Sequence, residues 1–332
     1  MGFPFKDLSF VDKRFRIHGL SADDRYFQTL HDNMEPEFTR FCRSFVRANY
    51  VCLDVGANIG LKSLIIASQA NEGQVIAIEP GPEVGKVLDL NVEGNYGTNI
   101  AIEKVAIGDH DGGRVRFHED SAFGYVVETG VEVPMTTLAA IANKRNLPRV
   151  DFIKMDVEGL EFPILKNSLD FINRNEALVY FEFNAWAQMV NSDVRPREFA
   201  TWILDNFSHV YLVKKFGDYG DLLSRVAHGD WFGILQHNCF VAQFVDDIVI
   251  TNAPWRLDTP EAQCNLANWE RNQALAERDA AIAEKSAAMA ERDAAINERA
   301  RFSAELQAVY DSTSWKVTAG LRAVARLLRP HS

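Results

Sequence analysis

The residues best suited to chemistry stand at the ends of short apolar runs. The stretch "YVCLDVGANIGLKSLIIASQ" carries a buried-strand pattern into Asp54, Gly56, Asn58 and Gly60, and a helix pattern follows at once. Glycine lets the backbone turn tightly and admits a ligand where a Cβ would stand, while a helix N-terminus offers unpaired N–H groups. The next apolar run, "QVIAIEP", ends in Glu79, nineteen residues past Gly60. A carboxylate there can accept hydrogen bonds from both hydroxyls of a ribose. Further along, "DFIKMDVEGLE" delivers Asp156, Glu158 and Glu161, and "ALVYFEFN" ends in Glu182 and Asn184 ahead of Trp186. Carboxylates at strand ends can serve as general bases, so Asp156, Glu158 and Glu182 are the catalytic candidates, Asp156 foremost. Asp156 and Glu158 share a face if the strand continues past 156. Glu161 falls in the first turn of the next helix, where an acid also complements the helix dipole. Asn184 and Trp186 are placed to line a pocket for the acceptor.

The turn discriminates between ligands. A dinucleotide cradle needs G-x-G-x-x-G, but Asn58 replaces its middle glycine and position 61 is Leu61. Asp54, an acid closing the first strand, suits a ligand with a cationic amine better than a pyrophosphate. S-adenosylmethionine therefore fits these residues better than NAD. The alternatives are an NAD-linked oxidoreductase and a noncatalytic scaffold that keeps the fold. Oxygen ligands from Asp156, Glu182 and Asn184 could hold a divalent cation, although a metal-free site is the preferred reading. His237 is read as structural.

These side chains need a sheet to carry them. Strand patterns fall at residues 50–55, 74–79, 100–107, 150–156, 177–184, 209–213 and 239–245, separated mostly by helix patterns, which predicts an open, doubly wound α/β sheet of Rossmann-like type. Residues 114–118 and 131–136 suggest an inserted hairpin. Residues 1–49 are expected to form a helical cap and 50–252 the ligand-binding domain. After Pro260 the chain is rich in Ala, Glu and Arg, and from Glu270 to Asp311 it reads as six seven-residue units, from ERNQALA to ELQAVYD. Thr259, Pro260 and Glu261 form a helix start, so 253–311 is expected to be one long helix. Leu275, Ile282, Met289 and Ile296 supply one large apolar residue per unit, which allows coiled-coil pairing into a homo-oligomer through 270–311.

The segments "DVGANIG", "AIEPGP", "VAIGDHDG", "VPMTTLAAI" and "DFIKMDVEGLE" occur in the order seen in the FkbM family of class I methyltransferases, and the chain resembles that family from about Glu35 to Val245. The resemblance implies O-methylation with S-adenosylmethionine, commonly of a sugar or polyketide hydroxyl. With it Asp54, Gly56, Asn58, Gly60, Glu79 and Asp109 of "VAIGDHDG" are taken as the cofactor contacts. One departure is Ala139, where the family often has an acid after Thr137 and Leu138.

The 332 residues carry a net charge of −11, which disfavours general nucleic-acid binding. Cys42, Cys52, Cys239 and Cys264 are scattered, without zinc-site spacing, as expected of a protein of the reducing cytoplasm. The first residues mix charges into the apolar ones, unlike a signal peptide, and no stretch is long enough to span a bilayer. The tail, 312–332, holds Lys316, Arg322, Arg326 and Arg329 without an acid. It carries +4 and leaves −15 on the rest. Val317, Leu321, Val324 and Leu328 follow helical spacing, so 315–329 reads as a basic amphipathic helix suited to an anionic membrane surface, peripheral at the inner membrane, with a surface glycan as the acceptor.

Overall fold

The computed structural model of the chain describes residues 2–95, 99–119, 124–126, 130–192, 194–213, 222–227, 229–230, 233–234, 246–258 and 260–327. Two compact units are found, Met1–Asn268 and Trp269–Ser332.

In the first unit the chain begins with an antiparallel hairpin, β1 (Phe5–Phe10) and β2 (Lys13–His18), followed by helices α1 (Arg25–Thr29) and α2 (Pro36–Phe45). The helical cap expected for 1–49 is thus partly strand. The alternation of buried Leu8, Phe10, Phe15 and Ile17 with exposed neighbours is the period-2 pattern that a half-buried hairpin requires. Then follow β3 (Val51–Val55), α3 (Leu61–Gln69), β4 (Gln74–Ile78), α4 (Pro82–Gly94) and β5 (Ile100–Glu103). An insertion comprises β6 (Ala106–Ile107), β7 (Arg114–His118), β8 (Tyr125–Val126) and β9 (Val131–Thr136). The chain continues through α5 (Leu138–Lys144), β10 (Phe152–Met155), α6 (Glu161–Asn167), α7 (Leu169–Asn175), β11 (Leu178–Phe183), α8 (Ala185–Asn191), α9 (Pro196–Asn206), β12 (His209–Val213), β13 (Leu223–Arg225) and β14 (Asp246–Thr251).

The main sheet runs β13-β12-β14-β11-β10-β3-β4-β5. Neighbours from β11 to β5 are parallel, and β14 is antiparallel to both β11 and β12. The single strand expected at 100–107 divides: 100–103 joins the main sheet, whereas 106–107 pairs with β9 in the insertion. The strand expected at 239–245 lies outside the described residues, and the one found is Asp246–Thr251. This doubly wound α/β sheet is the class I methyltransferase fold.

Alternate residues of each strand feed different cores. Leu53, Val55, Ile153, Met155, Val179 and Phe181 belong to one apolar cluster, and Cys52, Phe152, Leu178 and Tyr180 to another. The N-terminal segment completes the second. Phe41 of α2 is fully buried against Phe45, Phe152 and Tyr180, with ring centroids 5.0–5.8 Å apart.

The chain order reverses at β3, whose neighbours are β4 on one side and β10 on the other. Such a switch point opens a crevice at the C-terminal strand ends.

The second unit is helical. From Trp269 it continues a helix that starts at Pro260 and runs to Asp311, 52 residues or about 78 Å at 1.5 Å per residue. Ile282, Met289 and Ile296 are exposed on it. Two short helices, Thr313–Val317 and Ala319–Leu327, follow.

Candidate functional site

A cleft opens at the switch point, lined by Val55 and Gly56 at the end of β3, by Glu79 and Pro80 after β4, and by Asp156, Val157 and Glu158 after β10. Val105, Ala106 and Ile107 supply an apolar wall. Gly56 explains the glycine of the motif: its φ is +75°, and a Cβ would stand 1.8 Å from the Asp156 carbonyl oxygen. Only glycine lets β3 turn this close to β10. Asn58 takes φ +51° in the same turn, and its backbone N–H donates to Glu79 Oε2 at 2.9 Å. Glu79 Oε1 accepts from Gly81 N–H at 2.8 Å. Burial pushes its carboxyl up to about 7, against the pull of these two hydrogen bonds. Gly56, Asn58 and Glu79 are therefore brought together in the lining of one cleft that is acid-tipped and apolar-walled.

Three other expected cofactor contacts stand elsewhere. Asp54 is fully buried: its Oδ1 lies 3.0 Å from Lys154 Nζ, and Ser63 Oγ donates to its other oxygen. It is engaged inside the sheet and does not line the cleft, because its strand position turns it away from the opening. Gly60 precedes α3 with φ +94°, a backbone conformation that favours glycine, beside the Leu88 side chain and outside the cleft lining. Asp109 is exposed and pairs with His110 at 2.7 Å, outside the cleft lining.

The catalytic candidates converge more closely. β10 ends at Met155, so the expected continuation that would have aligned Asp156 with Glu158 does not occur. Glu158 instead takes φ +52° and Gly159 φ +98°, a turn in which a Cβ on Gly159 would strike the Ala187 carbonyl at 2.4 Å. Asn191 Nδ2 donates to the Glu158 carbonyl at 2.7 Å and ties that turn to α8. Burial, then the neighbouring Asp156 and Glu161, push the Glu158 carboxyl up to about 8. Glu182 is also pushed well up, by burial and then by Asp156. Across the sheet it faces Asp247 in register. Glu161 is buried at the start of α6, where its Oε1 accepts from Val157 N–H at 2.9 Å and its Oε2 has no hydrogen-bond partner among the described residues. Burial pushes it up to about 7, so it is a tie for the Asp156–Glu158 turn more than a dipole partner.

Asn184 caps α8 by accepting from Ala187 N–H at 3.0 Å. Trp186 is 68% exposed on α8, outside the cleft lining. His237 lies outside the described residues. Among the described residues no three His, Cys, Asp or Glu side chains form a metal-holding group. Beside Asp156 stands an ammonium instead, with Lys62 Nζ 3.2 Å from Oδ2.

Sequence reasoning missed Lys62, Lys154 and Glu119. Two had a visible signal. Lys62 sits in the first turn of α3, where the dipole disfavours a cation, and Lys154 interrupts an apolar strand. Glu119, after β7, accepts from the N–H groups of Glu83 and Val84 at 2.8 and 2.7 Å and so caps α4 from the insertion. No local pattern announces that contact.

The buried acid at Glu161 makes stability depend on pH. Its folded value of about 7 lies above the ordinary 4.5, so its contribution is complete below about pH 4.5 and is lost as pH rises through 7. Glu161→Gln keeps an oxygen for Val157 N–H and removes the titration. Urea denaturation should show the variant gaining on the parent between pH 4.5 and 8, by as much as about 3 kcal/mol. A difference independent of pH would show that Glu161 does not titrate abnormally.

Comparison with known proteins agrees with this geometry. Residues 54–223 match the methyltransferase FkbM domain, half of the chain. A curated protein, the AMB antimetabolite synthetase AmbE of Pseudomonas aeruginosa, is 42% identical over 59 residues, which are 18% of this chain. The chain spans 3% of that protein's length. Among solved structures, an FkbM methyltransferase of Methylobacillus flagellatus KT is similar at 15% identity and a TM-score of 0.40, covering 61% of this chain and 44% of its own. A SAM-dependent O-methyltransferase of Thermotoga maritima is similar at 12% identity and a TM-score of 0.40, covering 75% of this chain and 77% of its own. With the domain match laid over the strand order and the cleft at the switch point, the chain belongs to the FkbM methyltransferase family.

Proposed function

We propose that the chain is an S-adenosylmethionine-dependent O-methyltransferase acting on a hydroxyl of a sugar or surface glycan. The observation that carries this reading is one cleft whose lining includes both Glu79 and the Asp156–Glu158 turn. S-adenosylmethionine is the cofactor that the family implies, and when bound it supplies an activated methyl group. Glu79 is suited to its ribose, with the backbone of Gly56 and Asn58 beside it. A neutral alcohol is a weak nucleophile and benefits from a base whose affinity for protons matches the working pH. Glu158 supports that role better than Asp156 does. Its carboxyl is half ionised near pH 8, whereas Asp156 lies beside the ammonium groups of Lys62 and Lys154, at 3.2 and 3.8 Å. Ionised Glu158 would take the proton of the acceptor hydroxyl.

Calorimetry with S-adenosylmethionine should show Glu79→Gln weakening binding by about 1.5–3 kcal/mol, the range for a hydrogen bond to a charged group. An unchanged affinity would remove the ribose assignment. A screen of radiolabelled methyl transfer to nucleotide-linked sugars and glycan oligosaccharides tests the reaction itself. On a competent acceptor, turnover should rise with pH through an apparent value near 8. Glu158→Gln should lose that limb and about 100-fold or more of the rate, with cofactor affinity kept within a few fold. Transfer to amines but not to hydroxyls would reject O-methylation.

For the tail we propose peripheral binding to anionic lipid. Val317, which ends one short helix, and Leu321, in the next, are 75% and 72% exposed, and no helix among the described residues is long and apolar enough to cross a membrane. The Arg322 guanidinium lies 3.6 Å over the Trp315 ring. Exposed apolar residues next to basic ones suit a headgroup region, at about 1 kcal/mol per basic residue. In vesicle sedimentation the full chain should pellet with anionic but not neutral lipid, and a chain ending at Asp311 should stay in solution. Equal behaviour of both chains toward anionic vesicles at low salt would reject the membrane role.

A further inference from the structure

We propose that Lys62 is a positioning residue of the transfer site, its ammonium bridging Asp156 at the end of β10 to Glu35 of the N-terminal segment. The proposal rests on the assignment of the Asp156–Glu158 turn to methyl transfer. Lys62 Nζ lies 3.2 Å from Asp156 Oδ2 and 3.8 Å from Glu35 Oε2, and 5.8 Å over the Phe38 ring. Its side chain is only 18% exposed, so the ammonium stands largely out of water. A cation in the first turn of α3 opposes the helix dipole, so its place must be stabilised from outside that helix.

The surroundings supply that stabilisation and leave a surplus of acid. Glu35 approaches from the N-terminal segment, Asp156 and Glu158 from the end of β10, Glu182 from β11 and Asp247 from β14, with the Tyr26 ring of α1 nearby. Lys154, the second ammonium in this region, is closer to Asp54 than to Asp156. Lys62 is thus the principal counter-cation for several carboxylates. Burial raises the carboxyls of Glu158 and Glu182 first, and the neighbouring Asp156 adds to it, because the acids cannot all ionise around one ammonium. By joining Glu35 to Asp156, Lys62 also makes the N-terminal segment part of the site. Glu35 reaches that point with φ +53°, a left-handed conformation uncommon for glutamate.

The test is direct titration and needs no acceptor. The full-length protein is labelled with carboxyl-13C glutamate, and the Glu158 resonance is identified by its loss in Glu158→Gln. Lys62→Met should move the Glu158 midpoint alkaline by about one pH unit, and Lys62→Arg should restore it to near the parent value. Lys62→Gln serves if the methionine variant fails to fold. A Glu158 midpoint unmoved by both neutral substitutions in folded protein overturns the proposal, as does an arginine variant that titrates like the neutral ones. Because the readout is separate from turnover, a moved midpoint in a protein that methylates no hydroxyl would reject the O-methyltransferase reading and leave the Lys62 bridge standing.

Discussion

The structure depends on one buried ion pair. Lys154 of β10 is 2% exposed and stands in register opposite Asp54 of β3, with Nζ 3.0 Å from Oδ1 and donating to the Gly56 carbonyl at 2.7 Å. Taking both charges out of water is costly, and removing one partner alone would leave the other uncompensated at about 3–5 kcal/mol. Together they pin the two strands that flank the switch point. A one-residue slip of β10 against β3 would part the charges and move the Asp156–Glu158 turn away from the Gly56 turn. The same ammonium that settles the register also holds the backbone of the Gly56 turn.

From that pin the site is built outward by close approach. Gly56 can pass the Asp156 carbonyl only because it lacks a Cβ, and Glu79 then closes the turn by accepting from Asn58 and Gly81. The same carboxylate that suits a ribose is already part of the fold. Glu119 performs a parallel service from the insertion, capping the helix that begins after Gly81. The consequence is a cleft whose acids are partly desolvated and share few cations. Mutual repulsion and burial both favour retained protons, which is the condition a base working near neutral pH requires.

Much of this was legible locally. A buried strand, a turn with glycine at 56 and an acid at the end of the next strand are decided by neighbouring residues, and the order of motifs in the sequence points to the family. The long helix was equally legible, since Ala, Glu and Arg favour helix and the Pro260 start is a local signal. The N-terminal hairpin was harder. Its strands are short, charged and half exposed, and their apolar residues gain meaning only against α2 and the sheet.

The sequence by itself therefore determined the fold class, the glycine turn after β3 and the long helix, because each rests on periodicity or on backbone geometry within a few residues. Tertiary structure alone decided what each acid does. Asp54, Asp109 and Asp156 look alike as motif carboxylates, yet one is paired inside the sheet, one is exposed beside His110 and one lines the cleft next to Lys62. Their surroundings come from strand order and register between residues up to about a hundred positions apart. Burial and neighbouring charge are properties of the assembled sheet, and they set which carboxylate keeps a proton and which is bound by a lysine.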